Sequence, residues 1–197
     1  MAFAVSAGAD AVGVVFAPSQ RRVQLAQAAA ALSAAPPPVA RIGVFVDESD
    51  EFIFQAVAAC GLHAVQLHGG PPVSARAPFP VPVVSVVAVG KGFTWDQVPA
   101  RAAGAAAVLL DTLVAGASGG TAQQFAWDEV GPVRGEAPVF VAGGLRPDNV
   151  GACIAAMRPY AVDVSSGVEA APGIKDHGRI EQFMRAVRAA DEEVYTR

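Results

Sequence analysis

The chain has 197 residues, of which 53% are hydrophobic and 16% are charged, and its formal net charge is −4. This composition suffices for a sizeable apolar core and is typical of one α/β domain, residues 1–197. The acidic balance without a basic block argues against nucleic acid as a partner. Apolar runs such as VPVVSVVAV are too short for the roughly 20 residues of a spanning helix, so we expect no membrane contact.

Short apolar runs alternate along the chain with longer alanine-rich stretches of helical spacing. The runs predict seven strands, at residues 11–17, 42–46, 64–67, 82–89, 106–110, 138–142 and 161–164. The stretches between them predict helices at residues 23–34, 50–60, 94–103, 147–157 and 179–190. The strands start 18 to 32 residues apart, which indicates repeated βα units and a parallel sheet covered on both faces.

Residues 2–7 are typical of the end of a helix with no strand before it. Seven strands suit an open parallel sheet, but this helix end favours a (β/α)8 barrel that lacks its first strand. We therefore expect an α/β fold, a (β/α)8 TIM barrel, N-terminally truncated so that about seven of the eight strands are present. Such a barrel has two open edges, through which the chain could associate with another copy.

Two glycine-containing loops follow the last two predicted strands, in the segments VAGGLRPDN and VSSGVEAAPG. In a (β/α)8 barrel these loops commonly bind phosphate. Gly143 and Gly144 let backbone amides approach a ligand, while Ser165, Ser166 and Gly167 offer hydroxyls, amides and a backbone open to positive φ. Glycine and serine also dominate ordinary turns, but two such loops in succession favour an anion site.

Charged side chains at strand ends supply further candidates. Asp111 ends the run AAAVLLDT; it either caps a turn or, if the barrel wall raises its pKa, donates a proton near neutrality. Asp163 lies between valines, where an unpaired carboxylate is costly, so it needs a partner or a ligand. Arg21 follows the first strand and is either solvated or bound to a substrate carboxylate. We interpret His68 as a structural hydrogen-bonding residue.

The two cysteines, Cys60 and Cys153, have no spacing typical of metal ligands. The sequence therefore predicts neither a metal site nor a disulfide framework, and it favours a reducing cytoplasm. Cys60 ends one predicted helix and Cys153 lies on another, so both are interpreted as packing residues. No cofactor is expected.

In chain order, seven segments resemble the phosphoribosylanthranilate isomerase family over nearly the whole chain: AGADAVGVVFAPSQRRV, RIGVFVDES, VQLHG, LLDT, GGTAQQFAW, VAGGLRPDNV and VDVSSGVEAAPGIKD. The last two are the most specific. The resemblance implies a (β/α)8 isomerase of tryptophan biosynthesis that works without metal or cofactor. Its reaction is an Amadori rearrangement of N-(5-phosphoribosyl)anthranilate to 1-(2-carboxyphenylamino)-1-deoxyribulose 5-phosphate.

The resemblance also implies residue roles. Asp111 would be the general acid at the ring oxygen, Arg21 would face the anthranilate carboxylate, and Asp163 would lie near the sugar hydroxyls and the nitrogen. The implied phosphate cradle consists of Gly143, Gly144, Ser165, Ser166 and Gly167. Family members begin with a strand whose cysteine removes the C2 proton, and residues 1–197 offer no counterpart. We therefore expect the natural protein to start further upstream.

Two alternatives remain. One is another phosphosugar barrel, an epimerase or the indole-glycerol-phosphate synthase. Epimerases bring metal-binding histidines to strand ends, and the synthase uses strand-end lysines, whereas Lys91 and Lys175 are predicted in loops. The other is a non-catalytic barrel that binds a phosphosugar or a protein partner. A smaller departure from the family is Ser85, where lysine is frequent.

Overall fold

A computed structural model describes residues 1–112 and 125–195. The strands that form the parallel pairs are β1 (Ala11–Val15), β2 (Ala40–Val46), β3 (Ala64–His68), β4 (Val83–Val89), β5 (Ala107–Thr112), β6 (Val139–Val141) and β7 (Ala161–Val162). A short antiparallel pair consists of β8 (Glu169–Ala171) and β9 (Ile174–Lys175). The helices are α1 (Ala2–Ser6), α2 (Leu25–Leu32), α3 (Asp50–Cys60), α4 (Val98–Ala102), α5 (Trp127–Val130), α6 (Val150–Met157) and α7 (His177–Tyr195).

All seven predicted strands are confirmed, most of them shorter than predicted. The helix predicted at 94–103 is a 3₁₀ turn, Trp95–Gln97, followed by the short helix α4. The pair β8 and β9 and the helix α5 were not predicted, because their few residues carry no periodic pattern. The residues GGTAQQ of the segment GGTAQQFAW lie outside the described residues.

The described chain divides into two compact units, so a single domain over residues 1–197 stays a prediction. The first unit comprises Met1–Val86 and Ala100–Ala107. In it β1 pairs with β2, β2 with β3 and β3 with β4, all in parallel. Its core is apolar on both faces of these strands, as expected for parallel strands covered by helices.

The second unit comprises Val87–Pro99 and Val108–Arg197. In it β5 pairs with β6 and β6 with β7, again in parallel. The helices α6 and α7 contribute buried apolar side chains, among them Met157 and Phe183. Leu110 lies opposite Val141 in the register. Since parallel strands end at the same edge, the carboxyl ends of β5, β6 and β7 bring the residues that follow them together.

Candidate active site

Asp111 lies near the carboxyl end of β5, directly after the buried residues Leu109 and Leu110. Its side chain is half-buried, and its Oδ1 accepts a hydrogen bond of 2.8 Å from the Thr112 N–H. Burial raises the pKa of the Asp111 carboxyl, and the charge of Asp163 raises it further, whereas the hydrogen bond from Thr112 lowers it. The net direction is upward, so Asp111 retains a proton to higher pH than an ordinary aspartate does.

The β6 loop, residues 142–149, begins in contact with Asp111. A Cβ on Gly143 would lie 2.9 Å from Asp111 Oδ1 and 2.7 Å from Thr112 N, so a side chain is excluded there. Gly143 has φ of 83° and Gly144 has φ of 68°, which is the left-handed region that favours glycine. The two glycines therefore serve a close approach to Asp111 and a turn that other residues adopt at a cost.

Asn149 holds the β6 loop in shape. Its Nδ2 donates to the carbonyl oxygen of Gly144 at 3.0 Å, and its Oδ1 accepts from the N–H of Arg146 at 2.7 Å. Arg146 Nη1 also donates to the Gly144 carbonyl, at 3.3 Å. Sequence reasoning missed Asn149 as a site residue, although the segment RPDN contributes to the family resemblance. Its signal is the ability of an asparagine to bond to backbone groups nearby in sequence.

The β7 loop, residues 163–168, reaches the site in another way. A 3₁₀ turn covers Ser166–Val168, and a Cβ on Gly167 would overlap with the carbonyl oxygen of Leu145 in the β6 loop. The prediction of positive φ for this loop is wrong, since Gly167 is not among the residues with positive φ. Glycine is required at 167 because two backbone segments touch, rather than because the chain turns left-handed.

The two loops present backbone amides that no other group occupies. Among the described residues, the N–H groups of these five residues donate no hydrogen bond: Gly143, Gly144, Ser165, Ser166 and Gly167. Within the same described part of the chain, the two serine hydroxyls also lack a hydrogen-bond partner. Unpaired amides on adjacent glycine-containing turns are suited to an anion. The predicted cradle residues are thus brought together at one edge, next to Asp111.

Asp163 follows β7, and its N–H donates to the carbonyl oxygen of Val141 at 2.9 Å. Water reaches its side chain, but the protein atoms around it desolvate the carboxyl enough to raise its pKa. The charge of Lys175 and the Val164 N–H lower that pKa and partly offset the desolvation. The partner expected for Asp163 from its sequence context is thus the nearby Lys175 charge.

Lys175 was predicted in a loop, and that prediction is wrong, since it lies in β9. Its Nζ donates to the Ser165 carbonyl at 2.8 Å and to Glu169 Oε1 at 3.0 Å. Sequence reasoning missed this residue as part of the site. The short strand β9 follows a proline and a glycine within a polar segment, so no apolar run indicates it.

Arg21 and His68 belong to the first unit. Arg21 is half-buried in the segment between β1 and α2, where its N–H donates to Ser19 Oγ at 3.2 Å. Gln66 Nε2 donates to His68 Nε2 at 2.9 Å, and burial lowers the pKa of His68 to about 4. His68 is therefore uncharged near neutrality and acts as a hydrogen-bonding residue, as the sequence indicated.

The two cysteines are buried. Cys60 Sγ donates to the Leu25 carbonyl at 3.6 Å, and burial raises the pKa of Cys153 in α6 to about 12. Both pack in the interior, as predicted. Residues 1–112 and 125–195 contain no cluster of three or more histidine, cysteine, aspartate or glutamate side chains suited to a metal ion. No helix in these ranges is long and apolar enough to span a bilayer.

Comparison with known proteins identifies relatives over most of the chain. The family model for N-(5'phosphoribosyl)anthranilate (PRA) isomerase matches residues 1–186. The N-(5'-phosphoribosyl)anthranilate isomerase of Pseudomonas fluorescens is 43% identical over 186 residues, which is 94% of this chain and 88% of that protein.

Solved structures give the same result. The crystal structure of phosphoribosyl anthranilate isomerase from Thermotoga maritima is 36% identical, with a TM-score of 0.76, and covers 95% of this chain and 92% of that one. A second isomerase structure, in complex with reduced 1-(o-carboxyphenylamino)-1-deoxyribulose 5-phosphate, is 35% identical, with a TM-score of 0.74 and coverage of 95% and 91%.

These matches agree with the features derived from the chain itself. The seven parallel strands have the fold of TIM-barrel proteins, so the predicted α/β fold class is confirmed. The segments that carry the sequence resemblance, including the β6 and β7 loops, lie within the matched region. The chain belongs to the PRA isomerase family.

Proposed function

We propose that this chain isomerises N-(5-phosphoribosyl)anthranilate to 1-(2-carboxyphenylamino)-1-deoxyribulose 5-phosphate in the tryptophan pathway of the cytoplasm. One observation carries the proposal: the unpaired amides of the β6 loop start in contact with a carboxyl whose pKa is raised, Asp111. A bound phosphate would thereby place the attached sugar next to a proton donor. Membership of the isomerase family supports this substrate.

The phosphate of the substrate would be bound by the amides of the β6 and β7 loops. Backbone N–H groups suit a dianion because they carry partial positive charge and need no side chain that must be desolvated. The hydroxyls of Ser165 and Ser166 would add further donors. The acidic net charge of the chain makes this local arrangement necessary, since the protein as a whole repels a phosphate ester.

Asp111 would act as the general acid. Its proton passes to the ring oxygen of the ribose as the bond between that oxygen and C1 breaks. The lone pair of the anthranilate nitrogen forms a double bond to C1, which gives an iminium ion and an open sugar. A carboxyl with a raised pKa suits this step, because it is still protonated near neutrality and becomes a carboxylate as the oxygen takes the proton.

Asp163 would interact with the positive charge that develops on the nitrogen. Loss of the C2 proton then sends an electron pair towards the nitrogen, and the resulting enolamine rearranges to the ketone. The family resemblance assigns this proton removal to a cysteine of a first strand. Cys60 and Cys153 are unsuited to it because both are packed in the interior and burial raises the pKa of each thiol.

Arg21 would bind the carboxylate of the anthranilate ring. The guanidinium group matches a carboxylate with two parallel N–H donors, which a lysine does not provide. This role rests on the sequence resemblance together with the position of Arg21 after β1. Exchange for lysine would keep the charge but lose the paired geometry, so Arg21→Lys should raise KM with little effect on kcat.

Growth of a strain that lacks this isomerase tests the function. The strain should grow without tryptophan when it carries this chain extended upstream in its reading frame, and the same extended chain with Asp111→Asn should fail. The chain of residues 1–197 is tested in parallel. If neither version supports growth, and purified soluble protein does not consume the substrate, the proposal is wrong, and phosphate-ester binding without turnover would identify a non-catalytic barrel.

A further inference from the structure

Lys175 contacts two parts of the second unit that the proposed reaction uses or depends on. Its ammonium donates to the backbone carbonyl of Ser165 in the β7 loop at 2.8 Å and to the carboxylate of Glu169 at 3.0 Å. The Glu169 side chain is only 4% exposed, whereas that of Lys175 is 40% exposed. A buried carboxylate needs a cation to compensate for lost hydration, so Glu169 keeps the ammonium in place.

The backbone around Lys175 is fixed by several further contacts. Glu169 and Lys175 face each other in the antiparallel pair of β8 and β9. The N–H of Asp176 donates to the carbonyl of Val168 at 2.9 Å, and Arg179 Nη1 donates to the Glu169 carbonyl. The lysine stem therefore starts from a constrained hairpin and the head ends between two acceptors. This geometry leaves the ammonium little freedom to move away.

The position of this charge matters because two carboxyls lie near each other. Within the described part of this unit, the charged groups that act on Asp163 are Lys175, which favours its carboxylate form, and Asp111, whose own pKa the Asp163 charge raises. When two neighbouring carboxyls compete for a proton, a cation beside one of them directs the proton to the other. Among the described residues, no comparable cation acts on Asp111.

We propose that Lys175 is a positioning residue: it fixes the Ser165 end of the phosphate-binding β7 loop and holds Asp163 as the carboxylate, which leaves the catalytic proton on Asp111. The inference rests on the function proposed above, because it assigns the acid role to Asp111 and phosphate to the loop. It adds a residue outside the predicted set and a reason why two aspartates at adjacent strand ends have different roles.

Carboxyl titration followed by ¹³C NMR tests the charge role without any need for turnover. Side-chain carboxyl carbons of aspartate are titrated in the wild type, in Lys175→Met and in Lys175→Arg, and are assigned with Asp111→Asn and Asp163→Asn. In Lys175→Met, Asp163 should titrate at higher pH than in the wild type and Asp111 at lower pH. Lys175→Arg should keep the wild-type order. If Asp163 titrates at the same pH in the wild type and in Lys175→Met, the proposal is wrong.

Two further variants separate this effect from a loss of folding or of net charge. Lys175→Met leaves Glu169 buried and unpaired, so the double variant Lys175→Met with Glu169→Gln removes that defect as well. It should fold with a Tm near the wild-type value and still show the altered titration of Asp163. Arg185→Met removes one cation from an exposed ion pair with Glu181 on α7. This control should leave both carboxyls unchanged.

Binding of inorganic phosphate tests the positioning role. Loss of a charge-assisted hydrogen bond to the Ser165 carbonyl should weaken phosphate about tenfold in Lys175→Met, while Lys175→Arg and Arg185→Met should bind as the wild type does. Equal phosphate affinity in Lys175→Met would overturn this role. A wild-type protein without isomerase activity but with the predicted titrations would refute the proposed function and not the charge role of Lys175.

Discussion

Asp111 and Asp163 occupy equivalent places, at the ends of β5 and β7, but their surroundings differ. Asp111 is half-buried, contacts Gly143 and accepts a hydrogen bond from Thr112. Asp163 lies within the field of the Lys175 ammonium. Burial raises the pKa of both carboxyls, but a cation counteracts the rise only at Asp163 among the described residues. Residue type at a strand end therefore does not decide the role; the neighbouring charge does.

The loops next to these aspartates also differ. The β6 loop turns through two glycines of positive φ and is held by Asn149. The β7 loop has a glycine only because its backbone meets the Leu145 carbonyl. Both leave backbone amides without partners within the described residues. The same function of presenting amides is thus achieved once by backbone conformation and once by close packing.

The largest expected effect separates the two aspartates. Asp111→Asn should lower kcat by about 10²–10⁴, with little change in KM, because a proton donor acts in the transition state. Asp163→Asn should have a smaller effect of about tenfold, since it removes a charge interaction and not the proton donor. Steady-state kinetics of the active, upstream-extended enzyme measure both. Asp191→Asn, on the outer helix α7, is the matched control and should leave kcat and KM unchanged.

If Asp163→Asn lowers kcat as far as Asp111→Asn does, the division of roles is wrong. If Asp111→Asn has no kinetic effect, the acid is another residue. The acid role also predicts that kcat/KM falls as pH rises through the raised pKa of Asp111. In Asp163→Asn this alkaline limb should move to lower pH, because the charge that helps to raise the pKa of Asp111 is gone.

The packing of the β7 loop is tested by Gly167→Ala. An added methyl group would overlap with the Leu145 carbonyl, so the loops must separate. We expect a loss of about 1–3 kcal/mol in the free energy of unfolding, together with weaker phosphate binding. Gly151→Ala in α6 is the control, since its nearest neighbour would be the Cβ of Ala190 at 3.9 Å, and it should stabilise by about 0.5–1 kcal/mol. Urea unfolding measures both.

The conformational role of the β6 loop is tested by Gly144→Ala. At φ of 68° a side chain other than glycine costs about 1–2 kcal/mol, and asparagine tolerates this region better than alanine. Gly144→Asn should therefore lose less stability than Gly144→Ala in the same unfolding experiment. Equal losses would show that space, rather than backbone conformation, requires glycine at this position.

The sequence predicted the parts of this site that follow from regular patterns. Apolar runs located β5 and β7, and therefore the aspartates at their ends, and glycine and serine marked the two loops. It did not predict the place of Lys175, because β9 has only two residues and its pairing with β8 is a tertiary contact. The reason for Gly167 was also out of reach, because a contact between two loops leaves no local signal.

The smallest predicted effect concerns stability at the acid. Since the folded-state pKa of Asp111 lies above its ordinary value, the folded protein holds this proton more tightly than the unfolded chain does. The stabilisation is fully present at acidic pH and is lost as pH rises through the folded pKa. Asparagine stays neutral at every pH and can still accept from Thr112. Asp111→Asn should therefore gain stability relative to the wild type between pH 3 and pH 7, measured by urea unfolding at both. An equal difference at the two pH values would mean that water screens Asp111 enough to remove the penalty, and the contrast with an ordinary exposed aspartate would then disappear.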